Sequence, residues 1–356
     1  MMAAGITIDP AFWRGRRVLV TGHTGFKGAW AALWLSKLGA DVTGLALAPV
    51  TDPNLFTLAG VGANLAHRLV DIRDAPAVNA VVAEARPELV LHMAAQPLVR
   101  RSVREPVESF ATNVMGTVNV LEALRATAGL RALLVVTTDK VYENSERGQP
   151  FRETDALGGH DPYAASKAAA ELVVSSYART YFHEQGVAVG TARGGNVIGG
   201  GDFSEDRIVP DIWRAACEGL PIRLRYPHAT RPWQHVLDCL SGYLTYLQAL
   251  ADGRTRVAAL NFGPEPSTAV TVAEIVSSMQ AILGRREGYV IDAGPKASEM
   301  VALALDSSLA RKTLGWRDRF DSFAAVAATA AWYQALVGGA DMRRFTVQQI
   351  EDFVAL

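Results

Sequence analysis

The stretch Arg17-Val18-Leu19-Val20-Thr21-Gly22-His23-Thr24-Gly25-Phe26-Lys27-Gly28 decides the fold. It opens as a β-branched apolar run and continues as a turn spaced by Gly22, Gly25 and Gly28. A helical pattern then runs from Ala29 to Leu38, and Gly39 stops it. Strand, glycine turn and helix in succession let a backbone approach a phosphate and aim a helix N-terminus at negative charge. The spacing is G-x-x-G-x-x-G rather than G-x-G-x-x-G, and by itself it also fits a plain tight turn. The flanking strand and helix favour a dinucleotide.

Outward from this unit, strands alternate with helices. Val42 to Leu47 reads as the second strand, and His67 to Val70, ending at Asp71-Ile72, as the third. Val78 to Ala85 is helical and Glu88 to Met93 is the fourth strand. Pro106 opens a helix to about Ala126, with Val107, Phe110, Val114, Val118 and Leu121 at helical spacing. A fifth strand, Leu133 to Val136, and a sixth, Val187 to Arg193, follow. This alternation predicts an α/β protein with a Rossmann-type, doubly wound parallel sheet covered on both faces. After Arg193 the pattern loosens. A helix is expected from Asp211 to Glu218, a short strand at Ile222 to Arg225, a helix from Val236 to Leu250 and a strand at Ala258 to Phe262. The remainder is mostly helical, and its amphipathic closing segment, Trp332 to Phe353, reads as structural.

The 356 residues carry a formal net charge of −1, so no bulk field attracts nucleic acid or an anionic membrane surface. Cys217 and Cys239 form neither a metal spacing nor a disulfide framework, and no metal is expected. Met1 to Trp13 lacks the pattern of a signal peptide. The apolar region Ala29 to Val50 is broken by Lys37 and Asp41 and fails as a membrane span. A cytoplasmic protein is the expectation. The end of the second strand carries Ala46, Ala48 and Val50 where an acid for ribose hydroxyls usually stands, and no Arg or Lys follows before Asn64. Lys27 could serve a pyrophosphate or a 2′-phosphate; its plain reading is a solvated lysine at a helix start. The balance favours NAD over NADP.

Reactive side chains concentrate after the fifth strand. Val135-Val136-Thr137-Thr138-Asp139-Lys140 ends an apolar run in a hydroxyl, a carboxylate and an ammonium, at the strand end where open α/β sheets hold ligands. Farther on, Tyr163 and Lys167 lie four apart on one helix face. An ammonium near a phenol favours the phenolate, drawing a reference pKa of ~10 toward neutrality, so Tyr163 is a candidate base for a sugar or alcohol hydroxyl. A Y-x-x-x-K pair alone reads as surface helix; after a glycine-turn half and Thr138 it does not.

With these residues in place, the chain resembles the extended short-chain dehydrogenase/reductase superfamily, and within it the nucleotide-sugar 4,6-dehydratases that act on CDP-glucose. The resemblance spans nearly the whole chain through Thr21–Gly28, His92–Val99, Thr112–Thr117, Thr138–Asn144, Gly158–Tyr163, Gly195–Asp202, Arg231–Val236 and Leu314–Trp316. Asp139-Lys140 and the Arg231 segment discriminate, because dTDP- and GDP-sugar dehydratases carry glutamate where this chain has Lys140. The resemblance implies that Thr138 bonds the sugar O4, Tyr163 takes its proton beside Lys167, Lys140 removes the C5 proton and Asp139 protonates the leaving C6 hydroxyl. For those roles Lys140 must be neutral and Asp139 protonated; the alternative is a salt-bridged pair capping a strand. Implied cofactor contacts are Gly22, Thr24, Gly25, Phe26, Lys27, Gly28, Asp71, Ile72, Ala94, Ala95, Asn113, Thr137, Tyr163 and Lys167. Gln96, Thr138, Asn196, Arg207 and Arg231 are the implied substrate contacts. Val141, Tyr226 and Ala156 depart from the family pattern at positions that are not catalytic.

Residues 1–194 with about 232–265 are then expected to form the dinucleotide-binding domain. About 195–231 with 266–356 form a smaller, mostly helical C-terminal nucleotide-sugar lobe. A homodimer through the Pro106 and Tyr163 helices is a further implication. The competing readings are a nucleotide-sugar 4-epimerase, which needs no acid–base pair at 139 and 140, and a non-catalytic dinucleotide sensor, which needs no tuned phenol.

Overall fold

The computed structural model describes residues 8–143, 148–231, 233–265, 270–292 and 303–356. In chain order the elements that place the site are β1 (Arg17–Thr21), α1 (Phe26–Lys37), β2 (Asp41–Ala46), β3 (Ala66–Leu69), α2 (Ala75–Ala85) and β4 (Leu89–His92). A helical stretch α3 follows in three parts, Pro106–Phe110, Ala111–Gly116 and Thr117–Arg125. Then come β5 (Ala132–Val136), α4 (Pro162–Tyr177), β6 (Ala188–Gly194), α5 (Ile208–Glu218), α6 (Val236–Ala251), β7 (Ala259–Phe262), α7 (Val272–Ile282), α8 (Ser322–Val337) and α9 (Met342–Ala355).

The seven strands form one sheet in the order β7-β6-β5-β4-β1-β2-β3, every neighbouring pair parallel. Each inner strand buries both its faces. Val18 and Val20 join one apolar cluster and Leu19 the other; Leu89 and Leu91 oppose Val90; Leu134 opposes Leu133 and Val135. This is the period of two that a strand covered by helices on both sides must show. Helices α1 and α6 cover one face, α2, α3 and α4 the other. The chain leaves β1 in one direction and returns at β4 to run in the other, so a crevice opens between the carboxyl ends of β1 and β4.

Two expectations about elements need correction. The Pro106 helix is not uniformly α: residues Ala111–Gly116 form a wider π turn, a feature that often re-aims side chains at functional sites. Here it aims Asn113 inward, and Gly116 is packed against Ile72, where a Cβ would lie 2.5 Å from Ile72 Cδ1. Helix α5 begins at Ile208 rather than Asp211, because Pro210 in a first turn forfeits no hydrogen bond. The closing segment is two helices, parted where Asp341 caps α9 by accepting from Arg344 N. Both join the cluster that lines the α1 face of the sheet, with Trp34 and Phe353 edge to face at 5.8 Å. Among the described residues no helix is long and apolar enough to cross a membrane, and no group of His, Cys, Asp and Glu could hold a metal ion.

Candidate active site

The glycine turn is built as tightly as its spacing suggests. Gly22 has φ +79°, and a Cβ there would lie 2.8 Å from Ala94 N. A Cβ on Gly28 would lie 2.0 Å from the Gly22 carbonyl oxygen, which also accepts from Gly25 N at 3.1 Å. Thr24 Oγ1 donates to Leu47 O at 2.8 Å, and Gly25 caps α1 ahead of Phe26. Beside the turn, Thr21 Oγ1 accepts from Met93 N and Ala94 N and bonds His92 Nδ1 at 2.7 Å, fastening the ends of β1 and β4 together. His92 also meets Thr117 Oγ1; burial pushes its imidazole down to about 3, so it is a neutral structural linker. This backbone cradle, which a side chain would fill, fits a dinucleotide phosphate at the N-terminus of α1. Asp71 closes β3 with its carboxylate bonded to Arg73, which holds it below the usual carboxylate range.

Lys27 departs from its plain reading. It is half-buried, its Nζ lies 6.0 Å from the centre of the Tyr243 ring, and burial pushes its amine down. Cys239, Arg207, Asp139 and Asp202 are the charged and titratable groups that act on it. The side chain therefore faces the reaction side rather than solvent.

At the end of β5 the chain turns through a short 3-10 segment, Asp139–Val141, capped by Thr138. Thr138 Oγ1 donates to Asp139 Oδ1 at 3.0 Å and lies against the Tyr163 phenol. Asp139 is buried, and Lys140 Nζ stands 3.9 Å from its Oδ1. Tyr163 lies in the first turn of α4, its backbone N–H bonded to Ser102 Oγ and the helix capped by Asp161. Lys167, one turn on, donates to Val136 O at 2.7 Å. Thr138, Asp139, Lys140, Tyr163 and Lys167 are thus gathered at one strand end.

The electrostatics differ from expectation. Burial pushes the Tyr163 phenol up to about 12, with the Thr138 hydrogen bond and the Arg207 guanidinium pulling the other way. Burial likewise pushes Lys167 down to about 8, helped by repulsion from Lys27. Loss of hydration favours the neutral form of both groups and outweighs the attraction expected between them.

Other expected residues divide into two sets. Arg207 pairs with buried Asp202 at 3.2 Å and is close enough to act on Tyr163. Asn196 is half-buried in the short strand Asn196–Ile198, which pairs with Trp233–His235. Asn113 lies at the centre: its side chain accepts from Gln96 N and donates to Gln96 O and Ser166 Oγ. Gln96, however, has its own amide committed to Ser109 Oγ, Leu98 O and Leu98 N, which makes it a loop pin rather than a free substrate contact. Thr137 turns its hydroxyl to Glu171 and away from the crevice. Ala95 follows Ala94 in the same loop. Arg231 ends the strand Thr230–Arg231, and its side chain lies outside the described residues.

Sequence reasoning missed Glu171, Arg193 and Tyr142. One signal was available: Tyr163, Lys167 and Glu171 recur every four residues, so a carboxylate occupies the face that also carries the phenol and the amine.

Residues 18–261 match the NAD dependent epimerase/dehydratase family. The chain is 41% identical to the CDP-glucose 4,6-dehydratase of Salmonella typhimurium over 98% of its own length and 99% of that protein. It is 34% identical to the dTDP-glucose 4,6-dehydratase of Streptomyces antibioticus over 89% and 92%. Among solved structures it is similar to the NAD-bound UDP-glucose-4-epimerase of Stenotrophomonas maltophila, with a TM-score of 0.80, 26% identity and coverage of 91% and 99%. The UDP-glucose 4-epimerase of Thermus thermophilus, solved with NAD, gives 0.77, 27%, 89% and 98%. NAD is the cofactor that suits the cradle. The chain belongs to the NAD dependent epimerase/dehydratase family, and within it to the nucleotide-sugar 4,6-dehydratases.

Proposed function

We propose that this chain is a hydro-lyase that converts CDP-glucose to CDP-4-keto-6-deoxyglucose. The observation that carries the proposal is the Asp139–Lys140 pair, held beside Thr138 and Tyr163 at the end of β5. Bound NAD supplies the hydride acceptor and, at the close of the cycle, the hydride donor. Thr138 holds the sugar O4 while Tyr163 takes its proton, and Arg207 and Thr138 are the groups that favour the phenolate. The resulting 4-ketone acidifies C5–H. Lys140 then removes that proton as Asp139 protonates the C6 hydroxyl, which leaves as water; when the hydride comes back to C6, the protonated Lys140, exchanged with solvent, returns a proton to C5.

On this reading Arg207 and Arg231 hold the substrate diphosphate with Asn196 nearby, since a planar guanidinium suits that anion. Residues 1–194 with about 232–265 form the NAD side of the crevice, and about 195–231 with 266–356 the sugar-nucleotide side. The enzyme works in the cytoplasm, where NAD and nucleotide sugars are found. A 4-epimerase is the second reading, favoured by the epimerases among the solved relatives. It has no use for the acid and base at 139 and 140.

Incubation with CDP-glucose in D₂O, followed by NMR of the sugar, separates the two. The expected product is a 6-deoxy-4-ketose with deuterium at C5 and no net NADH. CDP-galactose, or unchanged sugar, would overturn the proposal.

The reading extends to a homodimer. Val103, Val107, Phe110, Met115 and Leu172 are exposed apolar residues on neighbouring turns of the Val99–Arg104 helix, α3 and α4. A groove lined by Pro106, Val107, Phe110, Val114, Met115 and Ala169 runs between α3 and α4. A second copy related by a two-fold axis covers such a face with itself. Val107, 81% exposed in the single chain, becomes central to that contact. Sedimentation analysis should show a dimer for the native chain and a monomer for Val107→Glu; a monomeric native chain refutes it.

A further inference from the structure

Behind the reacting groups lies a buried charge network that the proposed chemistry does not use. Glu171 on α4 receives Arg193 of β6 at both oxygens, Nε to Oε1 and Nη2 to Oε2, each at 2.9 Å. Thr137 Oγ1 donates to Glu171 Oε1 at 2.5 Å and Thr191 Oγ1 to Oε2 at 2.8 Å. The other arm of Arg193 donates from Nη1 to Tyr142 OH at 2.9 Å, and that hydroxyl donates to Asn261 Oδ1 at 2.6 Å. The Tyr142 ring is stacked on Phe151, 5.0 Å between centroids, with the Arg193 guanidinium carbon 5.0 Å from its centre. Glu171, Arg193, Thr137, Thr191, Tyr142 and Asn261 are all buried.

The network is placed with respect to the site in a specific way. Thr137 immediately precedes Thr138, and Tyr142 stands two residues after Lys140, so the network grips the catalytic turn at both ends. Glu171 is one helical turn beyond Lys167 and two beyond Tyr163 on α4. A single carboxylate–guanidinium pair therefore ties the turn bearing Thr138, Asp139 and Lys140 to the helix bearing Tyr163 and Lys167. A buried, fully bonded ion pair is a poor source of stability compared with apolar packing, but it fixes geometry through direction and charge.

We propose that Glu171, Arg193, Thr137 and Tyr142 are positioning residues, and that the two grips serve different half-reactions. The Thr137 grip sets Thr138 against Tyr163 for C4 oxidation. The Tyr142 grip sets Asp139 and Lys140 for the C5–C6 elimination. The inference rests on the roles proposed for those four groups. Misplacement of a reacting group by about 1 Å can cost roughly 10²-fold in rate, so removing one hydrogen bond at either grip is a measurable change.

The test is single-turnover kinetics on the NAD-loaded enzyme with CDP-glucose, following the reduced nicotinamide by its absorbance and the sugar by NMR. Tyr142→Phe keeps the ring and its stack on Phe151 and deletes only the hydroxyl. It should slow elimination about 10²-fold with little change in KM, so that reduced nicotinamide builds up before product. Thr137→Val keeps the shape and deletes the other hydroxyl. It should slow the appearance of reduced nicotinamide itself, so that none builds up. Circular dichroism confirms that each variant is folded at the assay temperature. If both variants keep the native ratio of oxidation to elimination, whatever their melting temperatures, the network is only structural and the inference falls. Absence of the 4-keto-6-deoxy product with the native enzyme overturns the dehydratase reading, and the positioning roles with it.

Discussion

Lys140→Ala enzyme should oxidise CDP-glucose at C4 and then stop, accumulating reduced nicotinamide in place of product. The elimination rate is expected to fall about 10²–10⁴-fold, the range over which a positioned base acts, equivalent to roughly 3–5 kcal/mol of barrier. The reason is geometric. Lys140 Nζ is the only cation paired with Asp139 among the described residues, 3.9 Å from its Oδ1, whereas Thr138, Tyr163 and Lys167 contact one another's surroundings without it. The alanine variant therefore retains the oxidising set and loses the C5 base. Deuterium uptake at C5 in D₂O should fall in parallel. Full turnover by Lys140→Ala would remove this residue from the mechanism and return the pair to the role of a strand cap.

The second large effect is expected at the glycine turn. Gly28→Ala places a methyl group 2.0 Å from Gly22 O, 2.6 Å from Gly22 C and 2.8 Å from His23 Cα. All three are backbone atoms of the turn, so relief requires the turn to open. Overpacking of this kind costs roughly 3 kcal/mol, which corresponds to a loss of about 100-fold in NAD affinity if the strain is released by reshaping the cradle. Calorimetric titration with NAD should find Gly28→Ala far weaker than the native chain, with a lowered melting temperature. Native-like binding would show that the close approach at Gly28 does not shape the cofactor site.

The sheet and its ligand crevice were legible because they depend on periodicity and on glycine spacing, which are local. Val18, Leu19 and Val20 already state that β1 is buried on both faces, and the strand–turn–helix order fixes where a phosphate can approach. The gathering of Thr138, Asp139 and Lys140 with Tyr163 was legible for a similar reason, since a strand end and a first helical turn are positions that sequence marks. What the sequence could not express is which partner a polar group takes across the fold. Gln96 reads as an available amide, yet the loop takes up its donors and acceptor at Ser109 and Leu98. Thr137, an implied cofactor contact, has its hydroxyl bonded to Glu171. The direction of the Tyr163 shift was misjudged because spacing conveys the nearness of Lys167 but not the dehydration of both groups. The π turn at Ala111–Gly116 has no signature in the apolar spacing around it; it follows from what Asn113 and Gly116 meet.

The packing of α9 against α1 has a consequence for how the protein is made. Lys37 and Glu351 form an ion pair across 314 residues of chain, and Trp34 is covered by Phe353. A ribosome adding about 5–20 residues per second needs roughly a quarter of a minute to a minute to bridge that separation. Throughout that interval Trp34 lacks its Phe353 cover, although β1 and the glycine turn are already outside the exit tunnel. The nascent chain therefore presents the Trp34 side of α1 to whatever chaperones attend the ribosome, and the last turns of α9 withdraw it.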